Sequence, residues 1–256
     1  MTKRVLCARL PRPGHPEPLP ETESEHVTRV LRLRDGDVLE ALDGQGHAAK
    51  VTLRIRGGAP RLEFLESKAA EASGVLPLTL EMAILKAEAM EWVVEKAVEL
   101  GVRTLVPLIT AHTVVQVKNK GPEAFRERWQ KIADQSLKQC GRLERLEIQT
   151  PIALENWIAQ NPGKKDCPRL WCDEAGRGGK QGAVDLAHWL FENGAHLQQC
   201  RLLIGPEGGW SDLERQLLES GQEFAPIKVS LGPYVLRGET AALYAVSLVI
   251  ATLRQI

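Results

Sequence analysis

Leu202-Leu203-Ile204-Gly205-Pro206-Glu207-Gly208-Gly209-Trp210-Ser211-Asp212-Leu213-Glu214 is the stretch whose reading decides the fold. Three consecutive aliphatic residues read as a short strand buried on both faces. The strand runs into a turn built from Gly205, Pro206, Gly208 and Gly209. A helix is predicted to follow at once: Ser211 and Glu214 have capping-box spacing, and Gly221 is the expected stop. Strand, glycine-rich turn and helix N-terminus is the way α/β folds build ligand sites. Glu207 stands where a phosphate cradle would carry a basic residue, so the turn suits a ligand with hydroxyls or positive charge. The same glycines would also serve a plain tight turn.

A second unit lies about twenty residues on. Pro226-Ile227-Lys228-Val229-Ser230-Leu231 reads as another buried strand, again ended by Gly-Pro at Gly232-Pro233. Arg237 and Glu239 then precede the last helix, rich in small apolar residues (Ala241, Leu243, Ala245, Leu248, Val249, Ala251). Two such units in tandem are much less expected by chance than one.

The chain has 256 residues, with 33 basic and 33 acidic side chains. That length allows one large domain, or a small one beside a medium one. Formal neutrality excludes a strongly basic whole-protein footprint, so any nucleic-acid surface must be local. No apolar run approaches the length of a membrane span. Met1-Thr2-Lys3-Arg4-Val5-Leu6-Cys7 lacks the apolar core of a signal peptide. Five scattered cysteines suggest reduced thiols and a cytoplasmic setting. Cys167 and Cys172 have no second pair to complete a zinc site, and no metal is expected.

Residues 1–72 read as a separate small unit. Pro11 to Pro18 is expected to be a loop, and Val27, Val30, Leu31 and Leu33 alternate with Arg29, Arg32 and Arg34. Val38 to Leu42, Ala48 to Ile55 and Arg61 to Leu65 read as strands, with turns at Asp35-Gly36-Asp37 and Asp43-Gly44-Gln45-Gly46. Short strands with glycine-rich turns suggest a small β-barrel. Its arginine-rich edge is either an RNA platform or a solvated face. The polar run from Lys68 to Gly74 is the candidate linker.

From residue 73 to 256 strands alternate with helices, which predicts an α/β domain with a mainly parallel sheet. Leu78 to Leu85, Leu105 to Ile109 and Arg169 to Cys172 read as strands. Met90, Val93, Val94, Ala97 and Leu100 mark one face of a helix stopped by Gly101. Pro122 to about Cys140 is a second helix, its outer face and flanks carrying Lys118, Lys120, Arg126, Arg128, Lys131, Lys138, Arg142 and Arg145. Val184 to Glu192 is expected to be a third.

The paired motifs, Leu203 to Gly209 and Leu231 to Ala241, resemble those of the knotted, SPOUT-class methyltransferases. Met90-Glu91-Trp92 and Gln139-Cys140-Gly141-Arg142 narrow the likeness to the ribosomal RNA small-subunit methyltransferase E family. His26 to Arg32 resembles the start of that family's PUA-like barrel. The resemblance implies a C-terminal trefoil-knot domain with a parallel sheet, threaded from about Ile204 to Glu239, and a small N-terminal PUA-like β-barrel. It implies S-adenosylmethionine (SAM)-dependent methylation of N3 of a uridine in 16S rRNA; the neutral overall charge points to a structured site on an assembled particle, with free RNA left open as the substrate. It further implies a homodimer formed through the knot helices.

Carried onto this sequence, the cofactor-binding positions are Leu203, Ile204, Gly205, Pro206, Glu207, Gly208, Leu231, Gly232, Val235, Leu236 and Thr240. Arg9, Arg29, Arg32, Arg34 and Arg142 are the candidate RNA contacts. Uridine N3 is a poor nucleophile until its proton leaves. A guanidinium, Arg237, would stabilise the developing anion, and a carboxylate, Glu239 with Glu207 second, would take the proton. Alternatively, Arg237 and Glu239 form a salt bridge that shapes the loop. Three departures from the family pattern stand out: Gly238 where Thr is commoner, His112 where Arg is commoner, and Arg4-Val5-Leu6 without the aromatic residue often found there. Two other readings stay open: a knotted RNA-binding protein without catalysis, and a methyltransferase acting on another RNA site.

Overall fold

The computed structural model describes residues 2–55, 57, 59–68, 77–117, 121–174, 182–220 and 224–253. The expected linker from residue 69 onward, the helix stop at Gly221, and Lys118 and Lys120 lie outside the described residues. The chain divides into two units, Met1–Gly74 with Asp134–Arg145, and Val75–Ala133 with Leu146–Ile256.

The first unit is built on a five-stranded sheet. Its strands are β1 (Arg4–Leu6), β2 (Glu17–Pro18), β3 (Val38–Leu42), β4 (Ala48–Arg54) and β5 (Arg61–Lys68), in the order β1-β3-β4-β5-β2. One face alternates into a core of Val5, Leu39, Ala41, Val51, Leu53 and Leu62, closed by Val27 and Leu33. A register shift at Lys50/Val51 lets Lys50 oppose Glu66 while Val51 opposes Phe64. Leu65 is the extra residue, and it is exposed. Such bulges bend and twist a strand, which suits a sheet wrapped around a small core.

Two expectations for this unit are corrected. The proline-rich run is not wholly loop: Glu17–Pro18 pairs with Arg61 and Leu62, because proline is tolerated on an edge strand. The Val/Leu–Arg alternation is not extended at its start: after a short helix, α1 (Glu21–Glu25), its first residues are wound into a π-helical turn at His26–Val30. That winding buries Val27 and leaves Val30 exposed.

The second unit is an eight-stranded sheet in which every pairing is parallel. Its strands are β6 (Leu78–Ala83), β7 (Thr104–Ile109), β8 (Glu147–Ile148), β9 (Ile152–Ala153), β10 (Arg169–Cys172), β11 (Val184–Asp185), β12 (Cys200–Ile204) and β13 (Ile227–Ser230). The order is β11-β13-β10-β12-β6-β7-β8, with β9 alongside β7. The helices are α2 (Ala87–Leu100), α3 (Pro122–Cys140), α4 (Leu154–Gln160), α5 (Leu186–Asn193), α6 (Asp212–Glu219) and α7 (Gly238–Leu253).

Local chemistry explains several boundaries. Helix α2 ends at Gly101, whose φ of 90° is the left-handed cap that glycine adopts without strain. Helix α5 starts later than its apolar pattern suggests, because Asp185 takes the N-cap and accepts from His188 N. Helix α6 has the full capping box of Ser211 and Glu214. Helix α3 contributes its end, from Asp134, to the first unit. There Lys138, read from sequence as an outer-face cation, is instead buried and pairs with Glu23 at 2.5 Å.

Candidate functional site

Strand order positions the site. Strand β10 lies between β12 and β13, and Cys172 is level with Ile204 on one side and Val229 on the other. Because all three strands run parallel, they end on the same edge of the sheet. Adjacent strands are about 4.8 Å apart, so the turns after β12 and β13 leave the sheet roughly 10 Å apart. That gap is the width of a small ligand.

A partly open cavity of about 250 Å³ occupies it. The first turn supplies Ile204, Gly205, Pro206, Glu207 and Gly209. The second supplies Leu231, Gly232, Tyr234, Val235, Leu236 and Arg237, with Gly238 and Ala241 from the start of α7. The end of β10 adds Cys172, Asp173 and Glu174. The walls are mostly aliphatic side chains and turn backbone.

Charge on the wall is uneven. The Asp173 side chain is fully buried and is held by Arg215 of α6, which also pairs with Glu174. Lys228 lies 3.7 Å from Asp173, 2.6 Å from Glu219 and 4.8 Å above the Trp171 ring. Glu207 differs: its Oε1 accepts the Lys86 backbone N–H at a long 3.5 Å, and no cation pairs with it among the described residues. Arg237 is exposed on the wall, its own carbonyl accepting from Ala241 N at 2.8 Å. Burial pushes the Cys172 thiol up to about 12, with Asp173 adding to the rise, so this cysteine is an inert wall residue.

The first turn is fixed from behind. Trp210 is buried, meets Trp171 edge-on at 6.4 Å and donates Nε1–H to the Cys172 carbonyl at 3.1 Å. Gly209 has φ +71°, and a Cβ there would come within 2.3 Å of Glu174 Oε1. The left-handed backbone favours glycine there, and a methyl would have to push the Glu174 carboxylate aside.

The structure brings Ile204, Gly205, Pro206, Glu207, Leu231, Gly232, Val235 and Leu236 to one wall, together with Arg237. Leu203, Gly208, Thr240 and Glu239 do not line it. Leu203 packs in the core with Val106, Trp171 and Trp210. Gly208 lies under His112, and Thr240 is exposed on α7. Glu239 sits in the first turn of α7, and no ion pair joins it to Arg237 among the described residues. Gly238 is buried against Leu85 rather than standing free in a loop.

Sequence reasoning passed over Asp173 and Glu174. The available signal was their position: they follow a short buried strand in a parallel sheet, where ligands gather beyond the carboxyl ends.

Of the candidate RNA contacts, Arg9, Arg29, Arg32 and Arg34 are exposed. Arg29 makes a loose pair with Glu25 at 3.3 Å. Arg32 has φ +50°, the left-handed conformation unusual for a side chain of its size. Arg142 is half-buried, and burial lowers its pKa to about 10 against the opposing pull of Glu144. It offers less of its charge to solvent than the others. Among the described residues no group of His, Cys, Asp and Glu could hold a metal ion, and no helix is long and apolar enough to cross a membrane.

A family model described as an RNA methyltransferase domain matches residues 72–250, and one described as an RNA methyltransferase PUA domain matches residues 19–55. The chain is 30% identical over 236 residues to the ribosomal RNA small subunit methyltransferase E of Synechocystis sp., covering 92% of this chain and 73% of that protein. It is 27% identical over 227 residues to the protein of the same name from Bacillus subtilis, covering 88% and 86%. Among solved structures it superposes on a Legionella pneumophila protein in complex with SAM, with a TM-score of 0.82, 28% identity and 98% of each chain covered. It also superposes on the ribosomal RNA small subunit methyltransferase E of Neisseria gonorrhoeae bound to S-adenosyl methionine, with a TM-score of 0.77 over 96% of each chain. At 24% identity, this last likeness is one of fold.

Proposed function

The chain belongs to the ribosomal RNA small subunit methyltransferase E family, and from that premise we propose that it methylates N3 of a uridine in 16S rRNA, with SAM as the methyl donor. The observation that carries this reading is the meeting of both Gly-Pro turns on one cavity with Arg237 on its wall.

The cavity's chemistry fits the donor. Ile204, Val229, Leu231 and Leu236 offer apolar faces for an adenine, and Gly205 and Gly232 leave backbone groups open to it. Among the described residues the wall carries three carboxylates, Asp173, Glu174 and Glu207, against one cation, Arg237, which disfavours a nucleotide phosphate as occupant. Carboxylates suit ribose hydroxyls and a positive centre. SAM, when bound, supplies a methyl group already activated on a sulfonium.

What remains for the protein is alignment and activation of the acceptor. The walls from β10, β12 and β13 fix the donor, and the Arg237 guanidinium reaches the acceptor side of the cavity. There it stabilises the charge that develops on the uracil carbonyls as N3 loses its proton. Glu207 is on the wall and Glu239 is not, so Glu207 is the better-placed carboxylate to receive that proton. Glu239, in the first turn of α7, favours the helix N-terminus.

Residues 1–72 form the RNA-binding module in this reading and residues 73–256 the knotted catalytic domain, the threading running through the two turns. The protein works as a cytoplasmic homodimer on the assembled small subunit. Leu213 of α6 and Tyr244 of α7 are apolar residues left exposed on helices that such a pairing would use.

The test is direct. Incubate the protein with labelled SAM and undermethylated small subunits, digest the RNA and identify the product nucleoside. N3-methyluridine is expected; a ribose-methylated product, or none, would overturn the reading.

A further inference from the structure

The loop that follows β7 reaches the first glycine turn and the start of α6 at three points. His112 Nδ1 is 2.8 Å from the Gly209 carbonyl oxygen. The Ala111 backbone N–H donates to Glu214 Oε1 at 2.8 Å. The Cβ of His112 lies over Gly208, so close that a Cβ on Gly208 would stand 2.9 Å from it. The loop itself is closed by Thr110 and Thr113: Thr110 N–H donates to Thr113 Oγ1 at 2.9 Å, and Thr113 N–H to the Thr110 carbonyl at 3.1 Å.

We propose that His112 is a positioning residue, whose Nδ1–H on the Gly209 carbonyl holds the turn from Gly205 to Gly209 in its ligand-binding shape. The proposal rests on the reading that the cavity holds SAM, and it gives a specific task to a loop that does not line that cavity.

Four observations carry it. A carbonyl oxygen only accepts, so Nδ1 must carry the proton, and both the neutral tautomer and the imidazolium supply it. Glu214 is the capping carboxylate of α6, its Oε2 accepting from Ser211 N–H and Oγ–H at 2.8 Å each. The loop therefore grips the turn at Gly209 and the helix start at Glu214, the two ends of the turn–helix junction. The loop is stiff enough to brace, because the two threonines tie it to itself. The turn needs bracing: three glycines within five residues have much backbone freedom to lose on ordering. A turn that is in the competent shape only part of the time binds its ligand more weakly in proportion.

An exposed histidine near an RNA-modifying site has another obvious use, direct contact with RNA. The geometry favours the brace, since Nδ1 is already committed within the protein and the Cβ is seated on Gly208.

Three variants separate the outcomes. Asparagine puts an amide N–H near the position of Nδ1, whereas glutamine reaches farther, nearer that of Nε2. In His112→Ala, SAM affinity by calorimetry should fall about five-fold, the worth of one ordinary hydrogen bond. Hydrogen exchange of the backbone amides from Gly208 to Trp210 should quicken without ligand. His112→Asn should restore both quantities, and His112→Gln should restore neither. KM for RNA should stay within about two-fold in all three. Unchanged exchange and SAM affinity in His112→Ala would overturn the proposal. So would a raised KM for RNA with SAM affinity intact, which would make His112 an RNA contact. Failure of the wild-type protein to bind SAM would sink the donor assignment instead, while the exchange rates would still decide whether His112 braces the turn.

Discussion

The Glu81 carboxylate and the Arg169 guanidinium meet through two hydrogen bonds, at 2.6 and 3.1 Å, with neither side chain exposed to solvent. The pair ties β6 to β10 across β12. Trp157 Nε1 also donates to Glu81, at 2.9 Å, and Arg201 stands 3.7 Å away. The carbonyl of Asn161 accepts from both arginines. Removing one member of a buried ion pair strands the other's charge, at a cost of about 3–5 kcal/mol. Arg169→Met should therefore lower unfolding stability by that order in urea, with m unchanged. The double variant Arg169→Met/Glu81→Leu should recover part of the loss. A neutral Arg169→Met would mean that the network is not holding the sheet.

Gly209→Ala should weaken SAM binding about ten-fold or more. The left-handed backbone alone costs a side-chain-bearing residue about 1–2 kcal/mol. The new methyl also displaces Glu174 from its place beside Arg215. Adding Glu174→Ala should relieve the clash and leave the backbone cost, so affinity should recover only in part. Full recovery in the double variant, read by calorimetry, would show that φ at Gly209 does not matter.

Arg237→Ala should lower the methylation rate by about 10²-fold or more, in the range seen when one preorganised donor is lost from a developing anion. SAM affinity should change by less than about three-fold, because Arg237 is exposed and its proposed task is on the acceptor rather than the donor. Arg237→Lys should rescue little, since an ammonium lacks the planar fork that would span a uracil carbonyl edge. Of the carboxylates, Glu207→Gln should slow turnover more than Glu239→Gln does. Single-turnover rates with saturating SAM decide between the two, and the opposite order would restore Glu239 as the proton acceptor.

The exposed arginines of the first unit make a salt-dependence prediction. In Arg29→Ala/Arg32→Ala, the slope of log K against log salt for RNA binding should fall by about one for each phosphate that the protein no longer neutralises, roughly two in all. The Arg29–Glu25 pair is exposed and loose, and competes little with a phosphate. An unchanged slope would place the RNA surface elsewhere.

The sequence by itself determined the local devices. Ser211 and Glu214 specify the start of α6, Gly101 the end of α2, and the aliphatic runs at Leu202 to Ile204 and around Val229 specify buried strands. Each is set by residues within one turn of one another, so spacing alone exposes it. The pairing of the Gly-Pro motifs, and with it the likeness to knotted methyltransferases, was legible for the same reason.

Only the tertiary structure decided what lies between those motifs. The insertion of β10 between β12 and β13 depends on hydrogen bonds among segments more than twenty residues apart, which no local pattern records. That insertion adds Asp173 and Glu174 to the cavity and sets its width. The same holds for His112, whose partner Gly209 is 97 residues away, and for Lys138, whose amphipathic helix pattern placed it in solvent until Glu23 covered it. Helix and strand periods report which face of an element is apolar. They carry no information about which distant group will meet it, because that choice is made by packing of the whole chain.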